Sequence, residues 1–273
     1  MNDIVVRTMD FSWPDPLDPR IVEGDPEASY FLIGISFLLP YLEPYLIRTM
    51  KQAKPRLRDD ELRDQLGRFC MQEGQHYRAH QQFNARIRAA GFPSLSALEA
   101  QMEADYQRFT ESRSLRFNLA YAEGFEALTT ALALYLFQDR GRRQIEPAVA
   151  DMLYWHLIEE LEHRTVAFDV YEATSGSYWY RQAVALFAQW HLVQYAARVM
   201  WHMMQADTRW FADHGGSAGF LARMRERLPR LATRLLPKVL RTYTPWYTPR
   251  RIPFEPWMQR VATAYSAVAK RAR

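Results

Sequence analysis

Cysteine is almost missing: Cys70 is the only one in 273 residues. A single thiol excludes an intramolecular disulfide framework and any zinc site built from cysteines. Glycine is scarce too, at 11 residues, and neither GxGxxG nor GxxxxGK[ST] occurs, so no glycine-rich phosphate cradle can form. A GxSxG nucleophile turn is also absent. Strict alternation of apolar and polar residues is not seen, which argues against strands. No run of eighteen apolar residues occurs, which argues against a membrane span. The first residues lack the pattern of a secretory signal, and a cytoplasmic location is the expectation. What is present, 48% hydrophobic and 24% charged residues, fits a folded globular chain and excludes disorder. The chemistry left open is acid–base or metal chemistry built from Glu and His.

Charge is unevenly spread. From Phe220 onward, thirteen Lys/Arg face two acids, Glu226 and Glu255, while the whole chain carries only +4. The body is therefore acidic and the tail basic. An acidic body argues against nucleic acid as partner, and leaves a tail docked on the body or facing an anionic membrane.

Residues 10–28 hold Pro14, Pro16, Pro19 and Pro26, so residues 1–29 read as an extended arm wrapping a body. Helical periodicity follows at about 30–52, 59–90, 112–138 and 146–173. Gly91-Phe92-Pro93 ends the second segment, and the connection to the third opens on Ser96 with Glu99 in capping-box register. A long crossover at this point is what ferritin-like four-helix bundles use. A fifth, packed helix is expected over 181–204, with Gln194, Arg198 and His202 as a polar stripe. Its aromatics and methionines, Trp190, Tyr195, Met200, Trp201, Met203 and Met204, read first as ordinary packing and second as the wall of an apolar pocket. The helical domain thus spans 30–205, and 206–273 forms a basic, Pro-punctuated extension.

Two helical segments share Glu-x-x-His: Glu73 with His76, and Glu160 with His163. Positions i and i+3 lie about 60° apart on a helix, so both side chains of each pair aim at one point. The preceding segment of each half adds a carboxylate in an apolar setting, Glu43 and Glu126. The two halves keep register: 83 residues separate Glu43 from Glu126, and 87 separate Glu73 from Glu160 and His76 from His163. An acid in an apolar helix is costly unless it is paired or holds a cation. Four carboxylates balance two divalent cations, and each imidazole adds a neutral nitrogen, the donor set of di-metal carboxylate bundles. Mixed nitrogen and oxygen donors without thiolate favour iron, or manganese, over structural zinc.

His156 precedes Glu160 by four, giving His-x-x-x-Glu-x-x-His on one face, and is taken as a seventh ligand. His80, Glu123, Glu159 and Asp169 are taken as groups that orient the ligands. Glu162 is expected to face solvent. His191, His202 and His214 read as structural, and Pro44, directly after Glu43, is expected to kink its helix.

The strings FCMQEGQHYRAHQQFN, AEGFEALTTAL and WHLIEELEHRTVAFDVY resemble the family of predicted metal-dependent hydrolases, over about residues 30–205. The resemblance implies a ferritin-like fold with Glu43, Glu73, His76, Glu126, Glu160 and His163 as ligands. A more distant likeness to di-iron aryl-amine N-oxygenases adds His156. Four glutamates nearly neutralise a metal pair, which weakens it as a Lewis acid and favours oxidised metals. On that argument O₂-dependent oxidation of a small organic substrate ranks first, and hydrolysis by metal-activated water second. A non-catalytic iron-handling role ranks third. A small, apolar substrate, peripheral membrane contact through 181–204 or the basic tail, and a homodimer are further expectations.

Overall fold

The computed structural model describes residues 4–141 and 144–271. Among the described residues the chain is all-α, with a lone bridge, Val22 to Ile145, in place of a sheet. The long helices are α1 (Pro26–Ala53), α2 (Asp60–Ala89), α3 (Leu95–Ser112), α4 (Leu115–Gln138), α5 (Pro147–His163), α6 (Val166–Thr174) and α7 (Tyr178–Ala206). After them come α8 (Thr208–Asp213), α9 (Gly216–Arg230), α10 (Leu236–Thr242) and α11 (Pro256–Arg271).

Each helix that carries a candidate ligand starts on a side-chain cap. Asp25 accepts from the Ala28 amide, Asp59 from those of Glu61 and Leu62, Ser114 from Phe117, and Glu146 from Val149. Pro26 and Pro147 occupy first-turn positions, where a missing N–H costs nothing. The α1 helix runs on through both Pro40 and Pro44. It is also the one described helix long and apolar enough to cross a membrane, but most of that apolar window is buried inside the body.

Two expectations need correction. The segment read as one helix over 146–173 is two, α5 and α6, because the chain turns at Arg164 and Thr165. Arg164 fixes the turn by donating to the carbonyls of Leu161 and Ile252. The connecting helix α3 starts at Leu95, and Ser96 is not its cap. Glu99 is engaged instead by Arg88 at 2.7 Å and by the Tyr41 hydroxyl at 3.2 Å, and an acid in an ion pair is not free to reach back as a cap.

The fifth helix, α7, packs on α1 and α4. It comes unusually close because glycine faces it on both: a Cβ on Gly34 would sit 2.5 Å from the Ala196 carbonyl oxygen, and one on Gly124 would sit 2.4 Å from Ala185 Cα. Substituting Gly124 with alanine is expected to cost about 1–3 kcal/mol, because a backbone must move. Gly74, with open space around it, should gain up to about 1 kcal/mol from the same change. Urea melts of the two variants check this; equal shifts would contradict the packing described. Of the aromatics and methionines noted on this helix, Tyr195, Met203 and Met204 are core, while Trp190 and Trp201 face solvent with Trp179.

Two regions without regular helix-bundle geometry clasp the body. The amino-terminal arm buries Ile4, Leu17, Ile21 and Val22, and lays Phe11 against Trp155 with ring centres 5.4 Å apart. The basic tail is tied to acids of the body: Arg223 and Arg227 to Glu27, Arg250 to Asp169, and Arg234 to Asp139. Part of the tail's excess charge is thus used in docking.

Candidate metal centre

The four helices α1, α2, α4 and α5 converge on a cluster of acids and imidazoles. Glu43 comes from α1, Glu73 and His76 from α2, Glu126 from α4, and His156, Glu160 and His163 from α5. All seven are buried. Three sets of donor atoms lie within 4.8 Å of one another: Glu43–His76–His156, Glu73–Glu126–His163, and Glu73–His76–Glu160. Between them these sets contain all seven residues singled out by spacing. Glu160 occupies the middle, with Oε1 at 3.0 Å from His156 Nε2, 3.5 Å from His163 Nε2 and 3.7 Å from His76 Nδ1.

Most of the inward atoms make ion-pair contacts with one another but no hydrogen bond. Both oxygens of Glu43, Glu73 and Glu126, Glu160 Oε2, His76 Nδ1 and His163 Nε2 are buried without a hydrogen bond. A buried polar atom without a hydrogen bond costs about 1–3 kcal/mol, and so many of them converging form groups that could hold a cation. The electrostatics agree. Burial, with repulsion from Glu160, pushes the carboxyls of Glu43 and Glu73 well above the usual range. The same causes raise Glu126 to about 7. Burial acts on Glu160 in that direction too, but the imidazoles of His163 and His156 outweigh it and hold the carboxyl low. His163 is raised because Glu160 and Glu126 overcome its burial, whereas burial and the neighbouring His156 keep His76 neutral.

Behind each imidazole runs a hydrogen-bonded relay that fixes the ring. His76 Nε2 meets Glu159 Oε2 at 3.0 Å, and Glu159 is held by Arg7 at 2.9 Å and by the Trp155 indole N–H at 3.0 Å. His163 Nδ1 donates to Gln72 Oε1 at 2.9 Å, and the Gln72 amide donates to Glu162 Oε2 at 2.9 Å. Arg7 reaches the other oxygen of Glu162 at 2.6 Å, so two relays end on one guanidinium. The third goes from His156 Nδ1 to His80 Nε2 at 2.9 Å, and from His80 to Ser36, which donates to Asn84. Partners of this kind set the tautomer and raise ligand basicity.

The orienting candidates therefore divide. His80 and Glu159 back imidazoles of the cluster. Glu123 does not: it pairs with Arg181 at 2.7 Å, clamping α4 to α7, and burial opposed by that arginine leaves its carboxyl at about 7. Asp169 pairs with Arg250 of the tail. Glu162 is the clearest correction, since it is buried between Gln72 and Arg7 rather than facing solvent. The amino-terminal arm covers the side of α5 turned away from the cluster, so this helix has acids buried on two faces. Arg7, Gln72 and Glu162 were all missed. One signal for Arg7 was available: a lone cation behind Ile4, Val5 and Val6 raises the same question as a lone acid in an apolar helix. The remaining histidines have ordinary partners: His191 has Tyr121 and Asp105, His202 has Ser94, and His214 has the Trp210 carbonyl.

The structure is an all-helical body with a buried carboxylate–imidazole cluster that could hold metal. The chain belongs to the family described as predicted metal-dependent hydrolase, which matches residues 5–252. No curated protein and no solved structure matches it.

Proposed function

We propose that the protein is a hydrolase working through two divalent metal ions held by Glu43, Glu73, His76, Glu126, His156, Glu160 and His163. The observation that carries this reading is the set of buried donor atoms without a hydrogen bond that converge from four helices. Glu43 and His156 mark one end of the cluster, Glu126 and His163 the other, and Glu160 lies between them, where its carboxylate would help hold both ions. The fold is read as ferritin-like, with α1, α2, α4 and α5 as the bundle and α3 as its crossover, and the thiolate-free donor set suits iron or manganese.

When bound, a metal pair supplies an acidified water and polarises the oxygen of a scissile carbonyl or phosphoryl group. The protein's share is positional. The three relays hold the imidazole nitrogens inward, and Arg7 fixes Glu159 and Glu162 behind them. Charge alone ranked O₂-dependent oxidation ahead of hydrolysis. The family match reverses that order, because its description names hydrolysis.

The test is turnover of carboxylic esters and phosphoesters by protein loaded with Mn(II), Zn(II) or anaerobic Fe(II). Metal-dependent hydrolysis that disappears in Glu160→Ala is expected. Absence of hydrolysis with every metal, together with O₂ uptake by the Fe(II) form, would overturn the reading. Product analysis of that form would separate an oxidase from an iron-handling protein.

A further inference from the structure

We propose that the substrate has a short aliphatic tail joined to one hydrolysable polar head, and that the tail lies in an apolar cleft opening onto His156 and Glu160. This rests on the hydrolytic reading for the fate of the head, but the tail site is argued from the cleft alone. The cleft lies between α1, α4 and α5, and Leu32, Ile35, Leu132, Leu136 and Leu153, all half-buried, form its outer part. Its inner end is closed by His156 and Glu160 themselves.

The polar groups on its wall decide what it can hold. Ser36 is committed to His80 and Asn84, His80 to Ser36 and His156, and the Thr129 hydroxyl donates to the Glu126 carbonyl. Glu160 Oε2, in contrast, is buried without a partner. Everything else along the wall is hydrocarbon, so a ligand has one polar point, at the cluster, and nothing to bond along its length. A ligand with a second polar group would bury it unpaired. Size narrows the class further. The cavity measures about 70 Å³, about half the roughly 150 Å³ of an apolar cavity that takes up benzene, which leaves room for a tail of about three or four carbons. A larger cavity, about 570 Å³, lies between α4 and the tail segment, and none of the seven cluster residues lines it. With a carboxylic ester as head, water adds to the acyl carbon, the C–O bond breaks, and an acid and an alcohol leave.

The experiment measures binding of the n-alkanols from ethanol to octanol, by thermal shift and calorimetry, on protein as purified and again after chelation. Affinity should rise about fourfold for each methylene up to about butanol, then stop rising. In Leu132→Trp and Leu153→Trp, substitutions at half-buried positions, the rise should vanish while the metal content is unchanged. A flat series in the wild type, or an unaltered rise in both variants, would overturn the proposal. Because this readout needs neither metal nor turnover, a clear chain-length rise without hydrolysis would remove the hydrolytic reading and leave the tail site standing. Hydrolysis with a flat series would do the reverse.

Discussion

Replacing Arg7 with alanine should destabilise the protein by about 3–5 kcal/mol, the cost of leaving buried carboxylates without their cation. Arg7 is 2% exposed and contacts Glu159 at 2.9 Å and Glu162 at 2.6 Å. Among the described residues no other arginine or lysine pairs with either acid, so the variant leaves both buried without their cation. The effect should not stop at stability. Glu159 holds His76, and Glu162 holds Gln72, which holds His163. Loss of such orienting partners costs about 10–100-fold in metal affinity. Arg7 touches no candidate ligand, so this loss separates a positioning role from direct ligation. The double variant Arg7→Met, Glu162→Leu removes one charge of each sign and should recover part of the stability but little of the affinity. Denaturant melts and metal titrations check both. An Arg7→Ala protein with unchanged stability and affinity would show that the relays are decorative.

The second large effect has the opposite sign. In Glu43→Leu, the metal-free protein should melt at a higher temperature than the wild type. Glu43 lies 1% exposed on the apolar helix α1, with neither carboxyl oxygen hydrogen-bonded and its acidity suppressed by burial and by Glu160 and Glu126. Leucine has nearly its volume and relieves a desolvation cost of about 1–3 kcal/mol, each kcal/mol being worth about 2–4 °C. Metal should reverse the ranking. At a hundred times its Kd, a bound ion stabilises the wild type by about 2.7 kcal/mol, and the variant should forgo the share that Glu43 provides. A stabilising substitution that abolishes ligation is the signature of a site maintained for function rather than for folding. Glu162→Leu should behave differently, losing stability with and without metal, since it breaks an ion pair. If Glu43→Leu lowers the metal-free melting temperature and keeps the full metal response, Glu43 is a structural acid.

The seven cluster residues were legible because a helix converts spacing into direction. Glu-x-x-His on α2 and α5, and the four-residue step from His156 to Glu160, each place donors on one stripe, and a matching register across halves carries information that one motif does not. Helix starts near 59 and 112 were legible through periodicity, and the structure sets them at the caps Asp59 and Ser114. What could not be read depends on contacts distant along the chain. Arg7 lies more than 150 residues from Glu159, and no local period announces that the arm will cover the outer side of α5. Glu162 was assigned to solvent because a helix is assumed to have one wet face, and α5 lacks one where the arm and α11 cover it. The break at Arg164 has no proline or glycine to mark it. On α7, apolar residues were read as packing, yet Trp190 and Trp201 face solvent: hydrophobicity says which residues can be buried, not which are.

In the proposed reading the chain gathers two metal ions at one buried centre. Elemental analysis of protein purified without chelators and then loaded with Fe(II) or Mn(II) tests it most directly. The account predicts close to two ions per chain, lost in Glu160→Ala and retained in Glu123→Gln, whose carboxyl pairs with Arg181 instead. A content well below one ion per chain under every loading condition, or equal content in Glu160→Ala and the wild type, would contradict it.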